Sequence, residues 1–515
     1  MAENRKEIAL RNSMISIVTQ VCILMISFAT RKVFVTYMDI ELLGYESLFS
    51  NIFSLLNITE LGLGSIITFH LYEEFAKDNH EEISKLMLVY KWFYRIVAIT
   101  VLILGIIIYF FLPYLIKDEI KDWAYVHKIY LLQLAGVVST YFLVTRRMLF
   151  KASQREYRCV QIDLYSKIII MIGQLFSIAI FKDFILYLLV KIVGAMIANV
   201  WIAIATKKEY PYVTNKVKVT REDIDKRNIV DDVKNFMGHE LAYAVYGGTD
   251  NIVISAFCSL RDVALKGNYL VVATQIKNIF YYKLLDPVQA TIGNFIYSNE
   301  DEKHALKLFK MIDLFGFFFA VYMASGFLVF YQPFMTVWLG EDYLLPLSFV
   351  FAFSLTTYLQ SAFEIIYKFR CSYGEYRIDR NYMIVSAVLN IILSLIFVRW
   401  WGVTGVELGT AIAFLPTAFG RTKVVFKKFL KCSMNGYLIQ QLKRGFLALA
   451  ECVLLYMITK DIPYTVIGIG VRVLIWGCIP LLINALLFCR TPEYKMLKSY
   501  VTEMFQSIVM KRKSR

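Results

Sequence analysis

Along most of this chain the apolar positions neither alternate with polar ones at the period of a strand nor gather on one stripe of a helix. They run on. The segment "VAITVLILGIIIYFFLPYLI" at residues 97–116 carries no charge, and as a helix of about 20 residues it is long enough to cross ~30 Å of hydrocarbon. Similar runs, parted by short polar turns, predict some fourteen helices, at roughly residues 8–30, 43–72, 84–113, 123–145, 157–181, 184–206, 229–257, 266–297, 305–331, 344–367, 379–399, 403–421, 441–459 and 463–489. A helix in lipid satisfies its backbone internally and can be apolar on every side, which is the pattern these runs show. The fold class is therefore an all-α polytopic membrane protein.

Composition narrows the solvent further. Of 515 residues, 58% are hydrophobic and only 19% charged, against about a quarter charged in soluble proteins, so the chain lacks the polar surface to coat a soluble particle. The formal net charge of +15 follows the loops. With the first residues inside, Lys and Arg crowd the loops and tails of that side. By the positive-inside rule this puts both termini in the cytoplasm. The charge is thus no nucleic-acid footprint, and the basic tail "MKRKSR" is expected to rest on anionic headgroups. Eight scattered cysteines without a C-x-x-C argue against a disulfide framework or a metal site. The N-terminus has no small-residue cleavage site and reads as a retained helix. No G-x-x-x-x-G-K-[ST] is present, so ATP hydrolysis is not expected and no cofactor is implied.

Two polar segments set the organisation. They predict a six-helix bundle over 1–206, a cytoplasmic linker over 207–228, a second six-helix bundle over 229–426, a linker with helices thirteen and fourteen over 427–489, and a basic cytoplasmic tail over 490–515. The two bundles repeat one another. "FKASQREYR" at 150–158 aligns without a gap with "FRCSYGEYR" at 369–377, and "ITFHLYEE" at 67–74 answers "IGNFIYSN" at 292–299. An even number of spans per copy inserts both with the same polarity, so a pseudo-two-fold along the membrane normal should relate them. Such a pair is expected to enclose a cleft and to work by alternating access. The outer loops are short, which argues against a membrane polymerase or ligase.

The stretch "RKVFVTYMDIELLGYESLFSNIFSLLNITELGLGSIITFHLYEEFAKDNHEEISKLM" at 31–87 resembles the first helical hairpin of Wzx-type polysaccharide transporters, members of the MATE-like (MOP) exporter superfamily. "GGTDNIVISAFCSLRDVALKGNYLVVATQI" at 247–276 resembles the junction of spans seven and eight in the same family. The chain departs from commoner members at Tyr37-Met38-Asp39, where a Leu-Gly pair is frequent. The resemblance implies a non-enzymatic flippase for undecaprenyl-pyrophosphate-linked oligosaccharide units in capsule, exopolysaccharide or O-antigen synthesis, working beside a polymerase and other glycan-assembly proteins. The related alternatives are a lipid-linked peptidoglycan precursor flippase and a MATE-type antiporter. The family supplies no catalytic motif whose residues could be carried over.

Candidate contacts therefore come from physics. Charges at membrane depth are rare and costly, so each is a functional hypothesis. An anionic pyrophosphate points to Arg95, Lys167, Lys191, Lys277 and Lys283 as substrate-binding cations, Arg clamping oxygens bidentately and Lys acting as a mobile point charge. The bland readings stand beside these. Asp163 and Lys167, four apart, could neutralise each other, and Lys191 could snorkel to headgroups. Glu60, Glu240, Asp250 and Asp313 are candidates for a gate or for coupling to a proton gradient, a sodium gradient or the membrane potential. Glu60 lies with Gly62 and Gly64 in the apolar run "LLNITELGLGSIITFHLYEEF" at 55–75, opposite residues 282–285, which include Lys283, in the repeat alignment. Glu451 and Arg472 lie at matching depths in the final hairpin and are expected to form a structural ion pair.

Overall fold

The computed structural model describes residues 5–57, 63–142, 144–214, 217, 219, 241–242, 244–281, 285, 289, 292, 302–372 and 380–513. Among the described residues there is no β-strand. The all-α fold expected from the apolar runs is observed. The chain divides into two compact units, Met1–Gln275 and Ile276–Arg515.

The first unit opens with α1 (Arg5–Tyr37), α2 (Ile40–Leu56), α3 (Leu63–Ala76) and α4 (His80–Tyr109). There follow α5 (Leu112–Leu115), α6 (Trp123–Tyr141), α7 (Arg147–Ala152), α8 (Tyr157–Phe176) and α9 (Phe184–Glu209). The last pair is α10 (Asp250–Phe257) and α11 (Leu260–Phe280), whose final residues belong to the second unit. Three of the long helices start on a side-chain cap. Asn79 accepts from the Glu82 amide at 3.3 Å, Asp122 from Tyr125 at 3.0 Å, and Asp183 from Ile185 and Leu186 at 2.7 and 3.1 Å. Each cap satisfies backbone donors that the first helical turn leaves without a partner. Aromatic rings fill the interior: Phe34 meets Phe184 and Tyr187 edge-on, and Tyr130 packs on Phe49 and Phe53 while donating to the Gly105 carbonyl at 2.8 Å.

The α10–α11 turn is tied to the same unit by backbone groups. Lys117 donates from its amide to Ser255 and from its ammonium to Phe257, at 3.0 and 2.8 Å. The Leu260 amide donates to Asp118 at 2.7 Å, and the Ser255 hydroxyl to the Leu115 carbonyl at 2.7 Å. Opposite, α2 presents Gly44. A Cβ there would fall 2.3 Å from the Leu260 carbonyl oxygen, so only glycine permits this approach.

The second unit holds α12 (Glu302–Trp338), α13 (Leu347–Ala362), α14 (Glu364–Ser372), α15 (Arg380–Ala413), α16 (Leu415–Val424), α17 (Asn435–Thr459), α18 (Val466–Phe488) and α19 (Pro492–Lys513). Its core gathers Leu314, Phe317, Val321, Tyr358 and Ala448, with Phe488 packed on it. α15 is broken at Gly402, whose φ of 53° and ψ of −132° lie outside the helical region. That break falls between the spans expected at 379–399 and 403–421, and glycine is the residue that adopts such a backbone cheaply.

Among the described residues, eight helical stretches are long and apolar enough to cross a membrane. They are His80–Tyr109, Trp123–Ala152, Tyr157–Phe181, Phe184–Glu209, Ala305–Trp338, Leu347–Ser372, Arg380–Phe429 and Val466–Phe488. They cover expected spans three to six, nine to twelve and fourteen. The aligned motifs occupy like positions. Phe150 lies in α7 after α6, Phe369 lies in α14 after α13, and both rings are buried.

Candidate functional site

The richest concentration of buried polar groups in the second unit follows α13 and its continuation α14. Gln360, Glu364 and Lys368 recur every fourth residue, which keeps them on one face past the turn at Phe363. Near the upper end, Lys277 donates to Gln360 Oε1 at 3.3 Å and sits 5.4 Å from the Phe353 ring centre. The Tyr281 and Ser361 hydroxyls bond one another beside it. Lower down, Lys368 pairs with Glu364 at 3.6 Å.

At the lower end three cations surround one tyrosine. The guanidiniums of Arg421 and Arg370 lie 4.8 and 5.1 Å from the Tyr367 ring centre, and the Lys368 ammonium 5.8 Å. All three are buried, with exposures of 9% for Arg421, 1% for Arg370 and 6% for Lys368. A ring face offers a cation electrostatic support, and Lys368 has the Glu364 carboxylate beside it as well. From Gln360 to Arg370 the helix rises ~15 Å. The arrangement is a ladder of cationic and hydroxyl groups strung beside α13 and α14, with Lys277 and Arg421 supplied by neighbouring helices, and is suited to phosphate oxygens and sugar hydroxyls.

The structure separates the sequence-derived candidates. Lys277 lies on this ladder. Lys191 is paired with Glu46 in the first unit, its side chain half exposed. Arg95 and Lys167 are exposed on α4 and α8, among exposed apolar side chains such as Trp92 and Ile169. Asp163 does not neutralise Lys167. Arg147 grips it with two bonds of 2.6 and 2.8 Å and also reaches Asn199. Asp250 accepts from Lys266 at 2.8 Å, and both are buried. Asp313 accepts from Arg444 at 2.5 Å, Tyr437 at 3.0 Å and Gln441 at 3.3 Å, which ties α12 to α17. Glu60, Glu240 and Lys283 lie outside the described residues.

The expected Glu451–Arg472 pair is corrected. Glu451 accepts from Asn484 at 3.0 Å. Arg472 donates to the carbonyls of Thr459, Ile462 and Pro463, at 3.0, 2.7 and 3.1 Å. The turn between α17 and α18 rises past the end of α17, so Arg472 draws level with its last carbonyls rather than with Glu451. Matching depths by residue count assumed a symmetric hairpin.

Sequence reasoning missed Lys368, Arg370 and Arg421. They fall at the ends of predicted spans, where a cation ordinarily snorkels to headgroups. A signal was present: the repeat places a basic residue directly after Phe150 and Phe369.

Residues 9–292, more than half of the chain, match a family described as "Polysaccharide biosynthesis protein". No protein of curated function matches in sequence. Among solved structures, one similar to this chain is a lipid II flippase MurJ in an inward closed conformation, at 16% identity and TM-score 0.66, covering 93% of this chain and 98% of that one. A multidrug resistance MATE family transporter of the MOP superfamily, inward-facing, is similar at 13% identity and TM-score 0.56, with 78% and 95% covered. The Vibrio cholerae MATE transporter VcmN is similar at 11% identity and TM-score 0.55, with 82% and 98% covered. At these identities the likeness is one of fold.

Proposed function

Because the chain belongs to the polysaccharide biosynthesis protein family, we propose that it is a flippase for undecaprenyl-pyrophosphate-linked oligosaccharide repeat units. It moves them from the cytoplasmic to the outer leaflet by alternating access, for capsule, exopolysaccharide or O-antigen assembly. The carrying observation is the ladder of Lys277, Lys368, Arg370 and Arg421 on α13–α14 and its surroundings. A pyrophosphate inside a membrane needs cations already desolvated and held, and Arg meets phosphate oxygens with paired, charge-assisted bonds. The hydroxyls of Tyr281 and Ser361 suit the sugar. Arg95 and Lys167 remain candidates for the same substrate in the first unit. The protein sits in a bacterial cytoplasmic membrane with both termini inside, its basic loops and tail on anionic lipids, and hands its product to a polymerase. An ion gradient or the membrane potential supplies direction.

The lipid II flippase fold favours a second reading, a lipid-linked peptidoglycan precursor as cargo. One experiment separates them. Depleting the protein should leave undecaprenyl-linked oligosaccharide in the cytoplasmic leaflet and abolish surface polymer while growth and cell-wall synthesis continue. Arrested wall synthesis with polymer intact assigns the peptidoglycan cargo. Normal translocation with shortened polymer overturns the flippase reading.

A further inference from the structure

The hairpin of α17 and α18 contains a carboxyl group for which the flippase reading has no use. Glu451 is only 2% exposed and Asn484 3%. The Asn484 amide nitrogen donates to Glu451 Oε2 at 3.0 Å and to the Pro480 carbonyl at 2.9 Å. Two acceptors on one nitrogen settle which end of the amide is which: the NH2 lies between them, and Oδ1 is the other end. Both Glu451 Oε1 and Asn484 Oδ1 are then buried oxygens without a hydrogen-bond partner. Two orphaned acceptors on two groups already joined by one bond form an unusual pair. Each would cost free energy in an apolar helix pair, and together they would repel.

Charge makes the difficulty sharper. Among the described residues, the titratable groups that face Glu451 are Tyr322 of α12, Tyr358 of α13 and Cys452 on its own helix, and none of them is a cation. Of the nearby guanidiniums, Arg444 is engaged with Asp313 and Arg472 with the carbonyls of the turn. A carboxylate at 2% exposure, supported by one donor and no cation among these groups, would be strongly disfavoured. One proton removes every objection. Carboxylic acid and carboxamide are both planar forks that can meet prong to prong, each giving one hydrogen and accepting one. A hydrogen on Oε1 that donates to Oδ1 would close a two-bond ring and leave no net charge.

We propose that Glu451 is a proton-binding site, occupied at neutral pH, and that its acid–amide ring with Asn484 fastens α17 to α18 within the membrane. Loss of the proton leaves a buried anion facing an amide oxygen and opens the ring, so the closure of this hairpin is tied to the proton. The site is separate from the basic ladder and does not depend on which cargo is carried.

Infrared spectroscopy of the full-length protein in lipid nanodiscs at neutral pH tests this directly. Subtracting the E451Q spectrum from that of the wild type should show one lost carboxylic-acid C=O band and no lost carboxylate band. The carboxamide that E451Q introduces can rebuild the ring, its NH2 taking the place of the acid proton, so this variant should match the wild type in thermal stability. A lost carboxylate band instead would overturn the proposal. N484A is an independent check: it should keep the acid band but move it to higher frequency as the bond to the amide disappears. An acid band that N484A leaves in place overturns the ring. Should E451Q fail to accumulate, a wild-type band that vanishes reversibly on raising the pH, and that N484A shifts, still decides the matter.

Discussion

The aligned motifs "FKASQREYR" and "FRCSYGEYR" begin on the same buried phenylalanine and then treat their cations in opposite ways. In the first unit the cations meet acids. Arg147 grips Asp163, and Glu209 accepts from Arg155 and forms an ion pair with Arg158 at 2.8 Å. Lys151, next to Phe150, is exposed. In the second unit Arg370 takes the position of Lys151 and is turned inward, sharing the Tyr367 ring with Lys368 and Arg421. The second set thus adds a tyrosine face to the surroundings of its cations, and Lys368 also has Glu364 beside it. The two segments differ in what stands around the basic residues: carboxylates in the first, and a shared tyrosine face besides Glu364 in the second.

The largest expected effect follows from that difference. Arg370→Gln or Arg421→Gln should lower polymer export more than tenfold with normal protein level, since each charge-assisted bond to a phosphate is worth about 1.5–3 kcal/mol. Arg155→Gln in the first copy should leave export within about twofold, because its charge serves Glu209 and an exposed ion pair contributes little. Export of labelled polymer, normalised to membrane protein, is the measurement. Equal losses from both copies would erase the distinction. Arg370→Lys sharpens it further: partial export would point to charge alone, and none to the bidentate geometry of the guanidinium.

A smaller effect is expected on stability in the first unit. Asp163→Asn removes the acid from a half-buried, doubly bonded pair and should cost about 1.5–3 kcal/mol, seen as a lower melting temperature in detergent. Replacing both partners, with Arg147→Met and Asp163→Asn together, should recover part of that loss, because no uncompensated charge is left behind. A double variant as unstable as the sum of the single ones would mean that Arg147 holds α7 through Asn199 rather than through Asp163.

How much of this was legible beforehand varies with the kind of information. The helices were, because lipid imposes an apolar run that needs no partner to be recognised. The break at Gly402, which falls between two expected spans, was also readable from local pattern. The pairing of buried charges was not. Arg147 meets Asp163 and Arg444 meets Asp313 across helices whose contact depends on tilt and register, and residue counting carries neither. Counting along a symmetric hairpin set Glu451 against Arg472, whereas the observed turn sets Asn484 there. The same counting read Lys368 and Arg421 as edge charges, although both are buried against Tyr367.

Lys191 offers the smallest expected effect and the finest check on the comparison. By charge and depth alone it resembles Lys277, and both are lysines within spans expected from the sequence. The structure gives them different surroundings. Lys191 is bound to Glu46, with half its side chain exposed, while Lys277 has an amide oxygen and a ring face in direct contact, with Glu407 and Glu364 within electrostatic reach. A half-exposed ion pair contributes about 0–1 kcal/mol, so Lys191→Gln should shift the melting temperature slightly and leave export near wild type. Lys277→Gln should keep stability and lose export. If both abolish export, a cation paired to an acid serves the substrate as well as one held by an amide and a ring, and the contrast between the two units no longer explains where the substrate binds. If Lys191→Gln is silent and Lys277→Gln is not, the partner opposite a cation, rather than its depth, decides which intramembrane charges carry the cargo.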